Sequence, residues 1–107
     1  MALDLNALVS TMTTAGQSLG AAMWAQIETV AIPELQKIAT QILAIETHLQ
    51  AYTQAGAQYL LDMQVRASVA VIAGMTALTV LDVQQAVEQM LAAVKGLVNT
   101  AIGFALL

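Results

Sequence analysis

Apolar residues in the middle of the chain recur at alternating steps of three and four positions, the spacing of a and d positions in a helical heptad. Gln, Thr, Lys and Glu fill many positions between them, so the pattern predicts an amphipathic helix. Pro33 suits the first position of a helix and Glu34 suits its positive first turn, so we expect the helix to span residues 34–73. A break near Gly56 or Gly74 would divide it in two. We call the following residues the first seam: Leu35, Ile38, Ile42, Ile45, Leu49, Tyr52, Gly56, Tyr59 and Met63.

Apolar stripes on both sides of this region predict further helices. The N-terminal stripe predicts a helix over residues 5–31. Near the other end, Asp82 and Gln85 have the spacing of a capping box, so a last helix is expected from residue 76 or 83 to residue 105. Its apolar positions form the second seam: Val80, Val83, Val87, Met90, Val94, Leu97, Ala101 and Phe104. The sequence therefore predicts a single all-α domain over residues 1–107, with three long amphipathic helices, or four if one breaks, in a helical hairpin or bundle.

The composition adds an expectation about partners. Charged residues make up 9% of the chain and apolar residues 59%, whereas an ordinary soluble domain carries about 25% charged residues. A domain of this size buries roughly two-thirds of its unfolded surface, so we expect apolar surface to remain and to be covered by copies of the same chain. The predicted interface residues lie on the two seams: Leu35, Ile38, Ile42, Ile45, Leu49, Tyr52, Tyr59, Met63, Val83, Val87, Met90, Val94, Leu97 and Phe104.

Charge and hydropathy narrow the choice of partner. The formal net charge is −4 and only three residues are Lys or Arg, which argues against nucleic acid as a partner. No secretory signal is recognisable at the start of the sequence. The uncharged run over residues 67–81 is shorter than the roughly 20 residues of a spanning helix, and Lys95 and Asn99 interrupt the last apolar stretch. Localisation therefore stays open between assembly in the cytoplasm and association with membrane lipid.

Candidate chemistry is sparse. His48 is the only His, the chain has no Cys, and Glu46 lies two positions from His48, a spacing that points the two side chains apart on a helix. We therefore predict no catalytic residues, no metal site and no cofactor, and expect no enzyme activity. Haem or metal ligation through His48, aided by a Met, is the weaker alternative.

Two local features carry separate expectations. Gly16 and Gly20, like Ala70 and Gly74, are spaced by four residues, which permits close contact between helices. The stretch over residues 100–107 has no charged side chain, so we expect it to be docked rather than free.

The function expected from these observations is association. The leading hypothesis is a non-enzymatic, self-assembling structural subunit of a filament, tube, ring or virion-type particle. The alternative is a membrane-inserted or membrane-active helical protein, such as a pore or ejection component, and the third is a bundle that binds an apolar ligand or haem. The stretch over residues 15–22 resembles the Ala-, Gln-, Leu- and Gly-rich segments of the small subunits that form bacterial R-bodies. This resemblance covers less than a tenth of the chain and identifies no family.

Overall fold

The computed structural model describes residues 3–107, which form four α-helices and no strand. The helices are α1 (Leu5–Gln17), α2 (Ala21–Thr47), α3 (Gln54–Met75) and α4 (Val80–Ile102), and a single turn of 3-10 helix, Leu49–Ala51, lies between α2 and α3. The predicted all-α class is confirmed, and of the two helix counts that the sequence left open, the structure has four. The prediction of one domain over 1–107 also includes residues 1 and 2, which lie outside the described residues.

The helix ends follow from local hydrogen bonding. Asp4, Thr53 and Thr79 each accept a hydrogen bond from the backbone N–H three residues later, at 2.9–3.1 Å, and so begin α1, α3 and α4. Such side chains satisfy N–H groups that have no partner inside the helix. Gly20 has a φ of 120° where the chain turns into α2, and Gly103 has a φ of 95° at the end of α4. Residues with a side chain rarely adopt these angles, so glycine is required at both turns.

Pro33 does not begin a helix, contrary to the prediction from sequence. It lies inside α2 and is exposed. A proline within a helix removes one backbone hydrogen bond, at a cost of about 3 kcal/mol. Ile27 and Ala31 before it and Leu35 and Ile38 after it are all fully or almost fully buried. Full burial of one such large side chain contributes about 1.5–3 kcal/mol, so continuous packing on both sides of Pro33 outweighs the lost hydrogen bond.

Other predicted boundaries were also wrong. The helix expected over 5–31 is interrupted at residues 18–20, because Gly20 turns the chain there. For the helix expected over 34–73, the sequence allowed a break near Gly56 or Gly74. It is interrupted at residues 48–53, just ahead of Gly56, which lies in the first turn of α3. The last helix starts at neither 76 nor 83, because Thr79 caps it, and it ends at Ile102 rather than 105.

The four helices pack as consecutive neighbours around one core. α2 contacts α1 and α3, and α4 contacts α1 and α3, while α2 and α4 lie diagonally opposite each other. The total accessible surface is 5812 Å², close to the about 5,700 Å² typical of a monomer of 11.2 kDa. A single chain therefore encloses an ordinary core by itself. Its largest fully buried side chains are Leu8, Met12, Ile27, Leu35, Ile38, Ile42, Ile45, Ile72, Met90, Val83, Val87 and Val94.

One close contact joins three of the helices. Trp24 of α2 is 7% exposed and donates its indole N–H to Glu28 at 2.9 Å. A Cβ atom added to Gly16 of α1 would lie only 2.4 Å from the indole ring and 3.0 Å from the sulfur of Met90 in α4. Gly16 thus permits the close helix contact predicted from its spacing, although its partner there is Trp24 and not a second small residue. Added at Gly74, a Cβ would meet nothing within 4 Å, so this glycine makes no such contact.

Residues 103–107 fold back onto the bundle, as predicted. The side-chain oxygen of Asn99 accepts hydrogen bonds from the backbone N–H groups of Leu106 and Leu107, both at 3.0 Å. Gln58 of α3 donates to the backbone oxygen of Ala105 at 2.5 Å. Leu106 is buried at 6% exposure, so this segment links α3 to the end of α4 through both polar and apolar contacts.

Candidate interaction surface

The exposed apolar side chains concentrate on α3. Within residues 3–107, seven large hydrophobic residues are exposed, and four of them, Tyr59, Met63, Val71 and Met75, lie on α3 at multiples of four positions. Ala67, which is also exposed, fills the remaining position. Residues spaced by four form a continuous ridge, which turns about 40° around the helix at each step and so covers about 160° from Tyr59 to Met75. We call these five residues the α3 outer face. The exposure of its four large side chains ranges from 41% at Val71 to 70% at Met75.

Charge is confined to one half of this surface. Asp62 and Arg66 are the only charged residues of α3, and they form an ion pair of 2.8 Å beside the ridge. Both side chains are largely exposed, at 52% and 80%, so their pairing contributes little to stability. Beyond Arg66, the exposed positions of α3 carry only small or apolar residues, including Ala70 and Gly74. An uncharged, unevenly shaped apolar ridge of this kind favours contact with another apolar surface.

An open groove runs between α3 and α4 beside this ridge. It consists of two depressions of about 370 and 450 Å³, which share Asp62, Val65 and Glu88. Buried Leu61, Val69 and Leu91 contribute to the walls. Charged groups line the same depressions and both are open to solvent. The groove therefore offers apolar area next to the α3 outer face but does not enclose a ligand.

The structure divides the predicted interface residues among three environments. The buried ones are Leu35, Ile38, Ile42, Ile45, Val83, Val87, Met90 and Val94; the half-buried ones are Leu49, Tyr52 and Phe104; the exposed ones are Tyr59, Met63 and Leu97. The eight buried residues form the core of one chain, so they cannot contact another copy in this fold, and their assignment to an interface is corrected. The physical reason is that the two seams pack against other helices of the same chain.

Sequence reasoning missed Val71, Met75, Val80 and Leu81 as exposed apolar residues. The first seam was followed as one helix face, but the break at residues 48–53 separates α2 from α3. Positions after a break no longer continue the face of the preceding helix, so Tyr59 and Met63 turn outward. The spacing of four from Tyr59 to Met75 was the signal that could have identified this surface.

The chemical candidates remain dispersed. His48 is exposed at the end of α2, with its Nδ1 atom 3.1 Å from the backbone oxygen of Ala44. Within residues 3–107, no three His, Cys, Asp or Glu side chains are grouped closely enough to hold a metal ion. Glu34 is buried, with its carboxylate 2.8 Å from the ammonium group of Lys37. These positions make local structural contacts and bring no set of reactive groups together.

Two further findings concern membranes and known proteins. Among the described residues, no helix combines the length and the apolar character needed to cross a membrane. Searches against protein-family models, curated proteins and solved structures found no match to the chain.

Proposed function

We propose that this protein is a non-enzymatic subunit that associates with copies of itself through the α3 outer face. The observation that carries the proposal is the exposed apolar ridge from Tyr59 to Met75 on a molecule whose core is otherwise closed. Removing apolar surface from water lowers the free energy of the system by about 25 cal/mol per Å² of apolar area. Self-association would remove this ridge from solvent without opening the bundle.

The chemistry of the ridge supports this role. Tyr and Met are enriched where protein surfaces meet, and charged residues are depleted at the centre of such contacts. Met63 and Met75 have flexible side chains that adapt to an opposing surface. Further contacts through Val80 and Leu81, which are 58% and 61% exposed, would extend pairs of chains toward a filament, tube or ring.

The test is the particle mass of the wild-type chain and of a variant with Met63→Asp and Val71→Asp. We expect the wild type to form dimers or larger particles and the variant to be monomeric, because association would bury the two new carboxylates without partners. Analytical ultracentrifugation over a concentration series measures the mass, and circular dichroism verifies that the helices remain.

Leu97→Asp is the matched control. Leu97 is 47% exposed and lies on α4, so its replacement should leave the mass unchanged. A wild-type chain that stays monomeric at its highest soluble concentration would refute the proposal. Material that leaves the aqueous fraction unless detergent or lipid is added would favour the membrane alternative instead.

A further inference from the structure

We propose that two copies pair through antiparallel α3 helices, with the two-fold axis at the level of Gln64 and with Asp62 and Arg66 exchanging ion-pair partners between the copies. This inference rests on the proposed function and specifies the partner and the geometry of the same surface. It follows from the positions of the apolar and charged residues along and around α3.

The charges determine the level of the axis. Asp62 and Arg66 lie two residues on either side of Gln64 and flank the same side of the ridge. In an antiparallel pair related by an axis at this level, Asp62 of each copy lies opposite Arg66 of the partner subunit. An axis at Ala67 would instead bring the two Arg66 side chains to within about 3 Å of each other along the helix direction. Like charges placed together oppose association.

The position of Met63 fits the same level. Each residue of a helix advances by about 1.5 Å. With the axis at Gln64, the two copies of Met63 therefore lie about 3 Å apart along the helix direction, next to the axis. Tyr59 lies about 40° around the helix from Met63, on the flank that also carries Asp62 and Arg66. In the antiparallel pair this flank faces the same flank of the partner subunit.

A parallel pair would lack these features. A two-fold axis along the helices places each residue of the contact face beside its own copy. Met63 then meets Met63, and Ala70, which lies within about 20° of Met63 around the helix, meets Ala70. The flank with Asp62 and Arg66 faces the opposite flank of the partner helix, and no exchange of ion pairs results. The antiparallel arrangement is therefore the one in which Asp62 and Arg66 pair between the copies.

Disulfide formation distinguishes the two arrangements. The native chain has no Cys, so any crosslink must form at the introduced residue. In the antiparallel pair, the two copies of residue 63 are offset by about 3 Å along the helices, and the two copies of residue 70 by about 18 Å. A disulfide requires Cα atoms within about 7 Å. We expect Met63→Cys to form a covalent dimer under mild oxidation and Ala70→Cys to remain uncrosslinked. Both positions are exposed, so neither substitution disturbs the core.

The outcomes separate this inference from the proposed function. Crosslinking at both positions indicates a parallel pair and overturns the inference while leaving self-association intact. Crosslinking at Ala70→Cys alone also overturns it. Absence of any dimer in ultracentrifugation refutes the proposed function itself.

A charge test examines the exchange directly. Asp62→Lys gives each copy two positive charges at this site, and Arg66→Glu gives each copy two negative charges. We expect each variant alone to self-associate at least about tenfold more weakly than the wild type, and an equimolar mixture to recover most of the affinity as a heterodimer. Each variant lacks the ion pair between residues 62 and 66 of its own chain. Affinity that is recovered on mixing must therefore come from ion pairs between chains. Variants that associate as tightly alone as when mixed would overturn the exchange.

Discussion

At the scale of single residues, the contact between Gly16 and Trp24 leaves no room for a side chain at position 16. A side chain on Gly16 would overlap the indole ring, since the added Cβ would lie 2.4 Å from one ring carbon and 2.8 Å from another. We expect Gly16→Ala to lower the free energy of unfolding by about 1–3 kcal/mol, the usual effect of overpacking a core. Urea denaturation followed by circular dichroism measures the change.

Gly96 provides the control, because a Cβ there would meet nothing within 4 Å. It lies within α4 and is exposed. Alanine at this site should raise the free energy of unfolding by about 0.5–1 kcal/mol through its better helix propensity. Equal effects of the two substitutions would contradict the steric account of Gly16.

At the scale of elements, Asn99 holds the chain after α4. Its side-chain oxygen accepts both backbone N–H groups of Leu106 and Leu107. We expect Asn99→Ala to release residues 103–107, because removal of the acceptor leaves two partly buried donors unsatisfied, at about 1–3 kcal/mol each. Faster hydrogen exchange at Leu106 and Leu107, with unchanged exchange in α2, is the expected result.

Asn99→Asp retains the accepting oxygen but replaces the amide donor, which lies 3.4 Å from the backbone oxygen of Leu107, with a second, negatively charged acceptor. Exchange at Leu106 and Leu107 should then be slower than in the alanine variant, because both N–H groups keep their acceptor. If the aspartate variant releases the segment as fully as the alanine variant, the accepting oxygen is not what holds it.

The elements also show what the sequence could predict. The apolar stripes identified the helical class, and the absence of charge over residues 100–107 identified a docked segment. The ends of the helices were harder to predict from the sequence. The effect of Pro33 depends on whether α2 can bury apolar residues on both sides of it, which is a property of tertiary packing. Gly20 lies at a turn, where its backbone adopts a φ of 120°. Its spacing of four from Gly16 had instead predicted a close contact between helices.

At the scale of the whole molecule, the core and the α3 outer face should respond differently to the same substitution. Ile45 is completely buried, so Ile45→Asp would place an unpaired carboxylate in the core. Its penalty, about 3–5 kcal/mol by analogy with a broken buried ion pair, is comparable to the total stability of many domains. We expect a large fall in the midpoint of thermal unfolding. Val71→Asp, at 41% exposure, should leave that midpoint nearly unchanged when both variants are compared as monomers.

The same distinction explains why the predicted interface was mostly wrong. A seam of apolar residues looks alike whether its partner helix belongs to the same chain or to another. Ile45 and Val87 found partners within the chain, while Tyr59 and Met63 did not. Only the path of the chain through residues 18–20, 48–53 and 76–79 decides between these outcomes, and that path depends on long-range packing.

Trp24 makes the bundle its own fluorescent probe. It is the only Trp in the chain, and its indole is enclosed where α1, α2 and α4 meet. Its emission therefore shifts to longer wavelength when the bundle opens and water reaches the ring. Association through α3 leaves these surroundings intact, so the emission spectrum should stay constant while the fluorescence anisotropy rises with particle size. Unfolding and assembly can thus be followed separately in one unlabelled sample.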